Sequence, residues 1–214
     1  MTRAIRQRRK ETRPAELLAA ALDVFVGKGF AAARMEDIAR RAGVSKGTVF
    51  LYYESKQALF RAVVQEAVLP HLAAGEALLA QHATDPAQLL RELLLRYWQV
   101  LGNPRLGGIS KLVMAEAGNF PEIAAFYHEH VVQRGHALFA TVLERGIQAG
   151  VFRSCDPLMM CQLAIAPLMF SCLWQQSFAG CEAQTVSPDL YVQTHLDMFM
   201  RGLLCEPPPA RSSR

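Results

Sequence analysis

Residues 34–56, RMEDIARRAGVSKGTVFLYYESK, leave the backbone few choices, because Gly43 divides them into two short helix-forming pieces of clear polarity. Met35, Ile38, Ala39 and Ala42 recur at i, i+3, i+4 and i+7, which predicts a helix over about Met35–Arg41 with one apolar face. At Gly43 the chain must turn sharply, through a left-handed conformation that glycine adopts without a Cβ clash. Ser45 then stands where an N-cap side chain accepts a bond from an orphan amide of the next helix, which begins Ser45-Lys46-Gly47-Thr48. Ala39 is small enough to let the two helices cross closely. Two helices joined by a three- or four-residue turn containing Gly form the arrangement that lays a second helix in a DNA major groove. A purely structural helical corner shares that geometry, so the side chains must separate the two readings. The start of the second helix is small or polar, and Tyr52, Tyr53 and Lys56 follow where polar tips and a cation reach phosphates. That favours DNA.

Charge is placed accordingly. The chain carries +4 overall, yet residues 1–60 hold 12 Lys/Arg against 6 Asp/Glu, and the rest of the chain is slightly acidic. A basic N-terminal third on a slightly acidic remainder fits a nucleic-acid module attached to a domain with another task. Arg3, Arg6, Arg8, Arg9, Lys10 and Arg13 make residues 1–13 a basic arm, read either as a solvated tail or as an element following the minor groove or phosphates. Asp23 interrupts the apolar stretch after the arm, so no signal peptide is expected. Leu158–Trp174 is the longest apolar run, but its 17 residues sit at the short limit for a membrane span, and a buried helix explains it more simply. The five cysteines, Cys155, Cys161, Cys172, Cys181 and Cys205, show neither C-x-x-C pairing nor a zinc-site spacing with His. They read as reduced thiols of a cytoplasmic protein, with no metal and no cofactor expected.

Helix punctuation is legible along the chain. A first helix runs from about Pro14 to Gly27, and a long one from Ser55 towards His82 is kinked at Pro70. Others start at Asp85-Pro86, about Ile109, Phe120-Pro121, Asp156-Pro157 and Ser187-Pro188, the last two as an N-cap followed by Pro at the first helical position. No alternating pattern of strands occurs, so the expected fold is all-α with about nine helices. Val192, Leu196, Phe199 and Leu203 recur at i, i+4, i+7 and i+11 in the last helix, a seam that suits a partner helix and suggests a two-fold homodimer reading both halves of a palindrome.

GVSKGTVFLYYESKQAL (Gly43 to Leu59), preceded by GFAAARMEDIARRA (Gly29 to Ala42), resembles the DNA-binding domain of the TetR family of bacterial transcriptional regulators. The match covers about residues 12–65. The resemblance implies a three-helix reading head, a variable helical ligand domain and a four-helix dimer interface. It also implies DNA contacts from Arg34, Ser45, Lys46, Gly47, Thr48, Leu51, Tyr52 and Lys56. Two positions depart from the family pattern. Arg34 stands where Thr usually caps the first motif helix, and Phe50 stands where a Tyr hydroxyl is common.

Two rival classes stand beside a sensor. An enzyme finds little support: adjacent residues of His128-Glu129-His130 point about 100° apart on a helix, and the H-E-x-x-H spacing is absent. A DNA-binding regulator or architectural protein with no effector is the alternative, but it does not need so large an apolar C-terminal region. The expected organisation is therefore a 14–55 DNA-binding domain, a 56–205 effector-binding and dimerisation domain, and a disordered 206–214 tail. The expected function is a cytoplasmic, nucleoid-associated repressor that binds a double-stranded palindromic operator and is released by a small apolar or aromatic effector. Trp98, Met114, Phe126, Met169, Phe170 and Trp174 are candidate pocket walls, with Tyr127 or Gln175 orienting a polar group.

Overall fold

A computed structural model describes residues 2–81, 85–181 and 186–205. In chain order the helices are α1 (Thr2–Lys28), α2 (Met35–Arg41), α3 (Lys46–Tyr52), α4 (Lys56–Ala67), α5 (Leu69–Gln81), α6 (Pro86–Leu101), α7 (Pro104–Glu116) and α8 (Pro121–Tyr127). A π-helical turn (His128–Val132) follows, then α9 (Gln133–Gln148), α10 (Pro157–Phe178) and α11 (Pro188–Leu203). Apart from one isolated bridge, Phe152 to Leu204, the described residues form no β structure. α5 restarts one residue after α4, and α8 runs through the π turn into α9, so these segments make nine successive rods. The fold is all-α, as the sequence predicts.

The break between α4 and α5 falls at Val68, with Pro70 in the first turn of the new helix. A proline there lacks only an amide that the first turn leaves unbonded, whereas inside a continuous helix it would displace a carbonyl. α1 begins at Thr2, well before Pro14, so residues 2–13 of the expected basic arm continue that helix. α7 starts at Pro104 instead of Ile109, because Asn103 Oδ1 accepts from the amides of Arg105 and Leu106 and Pro104 fills the first position. Asp156 and Ser187 cap α10 and α11 through the amides of Met159 and Leu190, as expected. The expected 206–214 tail lies outside the described residues.

The chain forms two compact units, residues 1–73 with 100–134, and residues 74–99 with 135–214. In the first, Phe25, Phe30 and Phe60 pack with ring centroids 5.5–5.8 Å apart, and Phe120 adds an edge contact to Phe30 at 4.9 Å. Leu59, Phe60, Val63 and Val64 of α4 belong to the same core as Leu17, Ile38 and Val49, so the reading head extends past the expected boundary at residue 55. α7 lies against α1 at Gly108, where any Cβ would stand 2.5 Å from Val26.

In the second unit, α5, α6 and α9 meet at Gly75, where a Cβ would stand 2.8 Å from Leu138 and 3.5 Å from Leu93. Gly146 admits the Phe152 ring so closely that a Cβ would lie 2.0 Å from it. The expected dimer seam is corrected here. Val192, Leu196 and Leu203 are at most 1% exposed within one chain, and Phe199 is half-buried against His195, so this face of α11 closes its own core. An exposed apolar face lies elsewhere. On α10, Leu163, Phe170, Trp174 and Phe178 are exposed, as are Leu190 and Met198 on α11. α10 is apolar all round, so its periodicity could not show which side faces outward. By length and composition it could cross a membrane, with a third of its apolar window buried.

Candidate nucleic-acid interface

The two motif helices are fixed from the inside. Met35, Ile38 and Ala39 of α2 and Val49 of α3 are buried, and the amide of Val44 bonds to Ala39 O at 2.9 Å to close the turn. Gly43 sits at φ +65°, the left-handed conformation its position required. Ser45 caps α3: its Oγ accepts from the Thr48 amide at 3.1 Å and lies 2.9 Å from Thr48 Oγ1. Ser45 and Thr48 therefore organise the start of the reading helix as well as standing near its outer face.

That outer face is open. Arg34, Ser45, Lys46, Gly47, Phe50 and Leu51 are exposed, and Thr48 and Tyr52 are half-buried. A Cβ at Gly47 would meet only Ser45 Oγ, at 3.8 Å, so nothing within the protein requires glycine there. Leu51 is 83% exposed, an apolar tip of the kind that meets a thymine methyl in the major groove. Arg34 occupies the N-cap of α2 without making a cap bond, which leaves its charge at the surface.

The cations around this face divide into two sets. Lys28 and Arg40 bind Asp37, and Arg41 binds Asp23, whose other oxygen takes Arg105 of α7, also at 2.7 Å. Burial would raise the Asp23 carboxyl, but the two guanidiniums outweigh it and hold its pKa below the ordinary carboxylate range. Lys46 pairs instead with Glu36, its ammonium 2.5 Å from Glu36 Oε1 and 5.7 Å from the centre of the Phe50 ring.

Lys56 departs from its expected role on a phosphate. Its ammonium donates to the carbonyls of Phe30, Ala31 and Ala33 at 2.6, 3.3 and 3.0 Å and lies 4.4 Å over the Phe30 ring. Burial pushes its pKa down, while the Glu116 carboxylate opposes that shift. Glu116 in turn accepts from the Ala31 amide at 2.9 Å. Lysine and glutamate together hold the turn between α1 and α2, and the charge seen in the sequence is directed inward.

The candidate effector residues are divided between the units. In the first, Met114 is exposed, Phe126 stacks on His130 at 4.3 Å with Arg61 over its ring, and the Tyr127 hydroxyl lies 3.0 Å from the buried Ser110 Oγ. In the second, the indole N–H of Trp98 donates to Asp189, and Gln175 donates to Ser171. Phe170 and Trp174 are 56% and 40% exposed, and Met169 beside them is half-buried. Phe170 and Trp174 thus belong to the outer apolar face of α10, and Met114 likewise points outward instead of lining an interior wall.

Helices that present an exposed, capped second helix on a satisfied core define a helix-turn-helix regulator. The profile described as "Bacterial regulatory proteins, tetR family" matches residues 17–63, and that described as "AefR-like transcriptional repressor, C-terminal domain" matches residues 88–202. The chain belongs to the TetR family of bacterial transcriptional regulators. It is 36% identical to the transcriptional activator FasR of Mycolicibacterium smegmatis over 98 residues, 46% of this chain and 44% of that one. It is 30% identical to the regulator TtgR of Pseudomonas putida over 101 residues, 47% and 48% of the two chains. The chain spans less than half the length of these curated relatives. A TetR-family structure from Mesorhizobium loti superposes with a TM-score of 0.71 at 23% identity, covering 92% of this chain and 99% of the other. FadR of Bacillus subtilis, solved in complex with stearoyl-CoA, gives 0.68 at 16% identity, covering 88% and 98%.

Proposed function

We propose that the protein is a ligand-responsive repressor that binds a palindromic operator as a homodimer in the cytoplasm. The observation that carries this reading is the open face of α3. Gly47 has no packing reason to be glycine, Lys46 and Leu51 project outward, and Ser45 caps the helix that presents them. Arg34, Lys46 and Tyr52 serve the phosphates, while Thr48 and Leu51 stand nearest the base edges. Lys56 contributes indirectly by holding the turn ahead of α2.

The dimer is assigned to the face carrying Leu163, Phe170, Trp174 and Phe178 on α10 and Leu190 and Met198 on α11. Large exposed apolar residues at helical spacing mark an interaction surface, and a second copy offers the same surface by symmetry. The AefR-like C-terminal match supports repression, and the structural likeness to an acyl-CoA-binding regulator is consistent with an apolar effector. An effector that lowers operator affinity a hundredfold requires about 2.7 kcal/mol of coupling, and operator must weaken effector binding by the same factor.

The test is selection of bound duplexes from a random pool, followed by titration of the recovered site. A palindromic sequence with half-sites about one helical turn apart is expected. Recovery of no preferred sequence would overturn the reading in favour of an architectural protein. Titration of Trp98 and Trp174 fluorescence with long-chain acyl compounds, with and without the recovered duplex, tests the effector. Affinity that is indifferent to DNA would remove the switch.

A further inference from the structure

Glu36 is an acid on a surface built for a polyanion. It stands in the first turn of α2, two residues after Arg34, and its carboxylate reaches the ammonium of Lys46 at the start of α3, 2.5 Å away. The two side chains are 47% and 54% exposed. Nothing in the core depends on them, unlike the neighbouring Asp37, whose side chain is 14% exposed and joins α2 to Lys28 at the end of α1. An exposed pair of this kind contributes little to stability and exchanges readily for other partners. Its effect is on the reading face: the cation that projects from α3 is already neutralised before DNA arrives. The same ammonium lies 5.7 Å from the centre of the Phe50 ring, so Lys46 has two partners within the protein.

We propose that Glu36 is an internal counter-ion that competes with the duplex for Lys46, so that the Glu36–Lys46 pair sets the affinity and salt dependence of the reading head. In the free protein Lys46 rests on Glu36; on operator it passes to a phosphate, and the carboxylate is left facing the DNA field. The inference rests on the DNA-binding reading above.

The experiment measures duplex affinity against salt for the full-length wild type, Glu36→Gln, Lys46→Ala, the double variant and Glu144→Gln. Glu144 is an exposed acid of α9 in the second unit, so its replacement makes the same change in net charge away from the reading face. Removing an exposed competing ion should make Glu36→Gln bind about twofold to fivefold tighter. The slope of log affinity against log salt should steepen by up to about 0.9 for each head, because no released carboxylate then takes up a cation when Lys46 moves to its phosphate. In the Lys46→Ala background the gain should vanish. Weaker binding by Glu36→Gln would overturn the proposal and make Glu36 a positioning residue for Lys46. A gain that survives Lys46→Ala would mean that the carboxylate acts on phosphates by itself, and an equal gain from Glu144→Gln would reduce the effect to net charge. Absence of duplex binding by the wild type would instead overturn the DNA-binding reading, and this inference with it.

Discussion

In the first unit the large apolar side chains close on one another, with Phe25, Phe30 and Phe60 at most 1% exposed, whereas in the second unit α10 turns Leu163, Phe170, Trp174 and Phe178 towards solvent. The charges follow the opposite course. Asp23, Asp37 and Glu116 of the first unit each engage cations or amides that fix α1, α2 and α7, while Lys46 and Glu36 stand exposed beside α3. A reading head needs a rigid interior and a polar, replaceable surface, because its partner is a charged polymer that it must bind and leave. An assembly face needs apolar surface that only another folded chain covers. On the proposed function, the difference between the units separates a transient partner from a lasting one.

The strongest way to sharpen that contrast is to cut one aromatic residue on each side of it. Phe60→Ala removes a ring from the interior cluster and should cost about 3–5 kcal/mol of unfolding free energy, read by denaturant titration. Trp174→Glu should keep its helical circular dichroism yet sediment as a monomer at micromolar concentration, where the wild type is expected to sediment as a dimer. A Trp174→Glu protein that stays dimeric would remove the assembly role from this face.

A smaller effect separates the inward cation from the outward one. Lys56→Met leaves the carbonyls of Phe30, Ala31 and Ala33 without their shared donor and should cost about 1–3 kcal/mol. The salt slope of DNA binding should be preserved, since the Lys56 ammonium is directed to these carbonyls. A slope lower by about one, with stability unchanged, would return Lys56 to the DNA and blur the distinction.

The smallest effect concerns Asp23. Its folded pKa is lowered by Arg41 and Arg105 against the opposing pull of burial, so its contribution is fully present above the unfolded carboxylate value and is lost as pH falls through the folded one. Asp23→Asn should therefore melt lower than wild type at neutral pH, by the equivalent of about 0.5–1 kcal/mol, and the gap should close on acidification. A gap independent of pH would mean that shape, not charge, holds α7 to α1 there.

These contrasts explain what could be read from residues alone. Gly43, the Ser45 cap and the Asp-Pro and Ser-Pro helix starts act locally, so the helices and the reading motif were visible before any packing was known. Lys56 was not, because a sequence shows a cation without showing which oxygens surround it. Glu36 had a faint signal, an acid one helix before Lys46, but its reach depends on how α2 and α3 cross. The outward face of α10 was hidden by its uniformly apolar composition, and the regular heptad-like spacing of α11 pointed to the buried seam instead. The π turn at His128–Val132 left no local mark.

The most direct test of the account is the stoichiometry and cooperativity of binding to the selected operator. A palindromic duplex and one retaining a single half-site are titrated with wild-type and Trp174→Glu protein in an analytical ultracentrifuge. The account predicts two protomers on the palindrome, affinity for the half-site weaker by orders of magnitude, and loss of that advantage in Trp174→Glu. One protomer per palindrome, or equal affinity of wild type for the two duplexes, would contradict it.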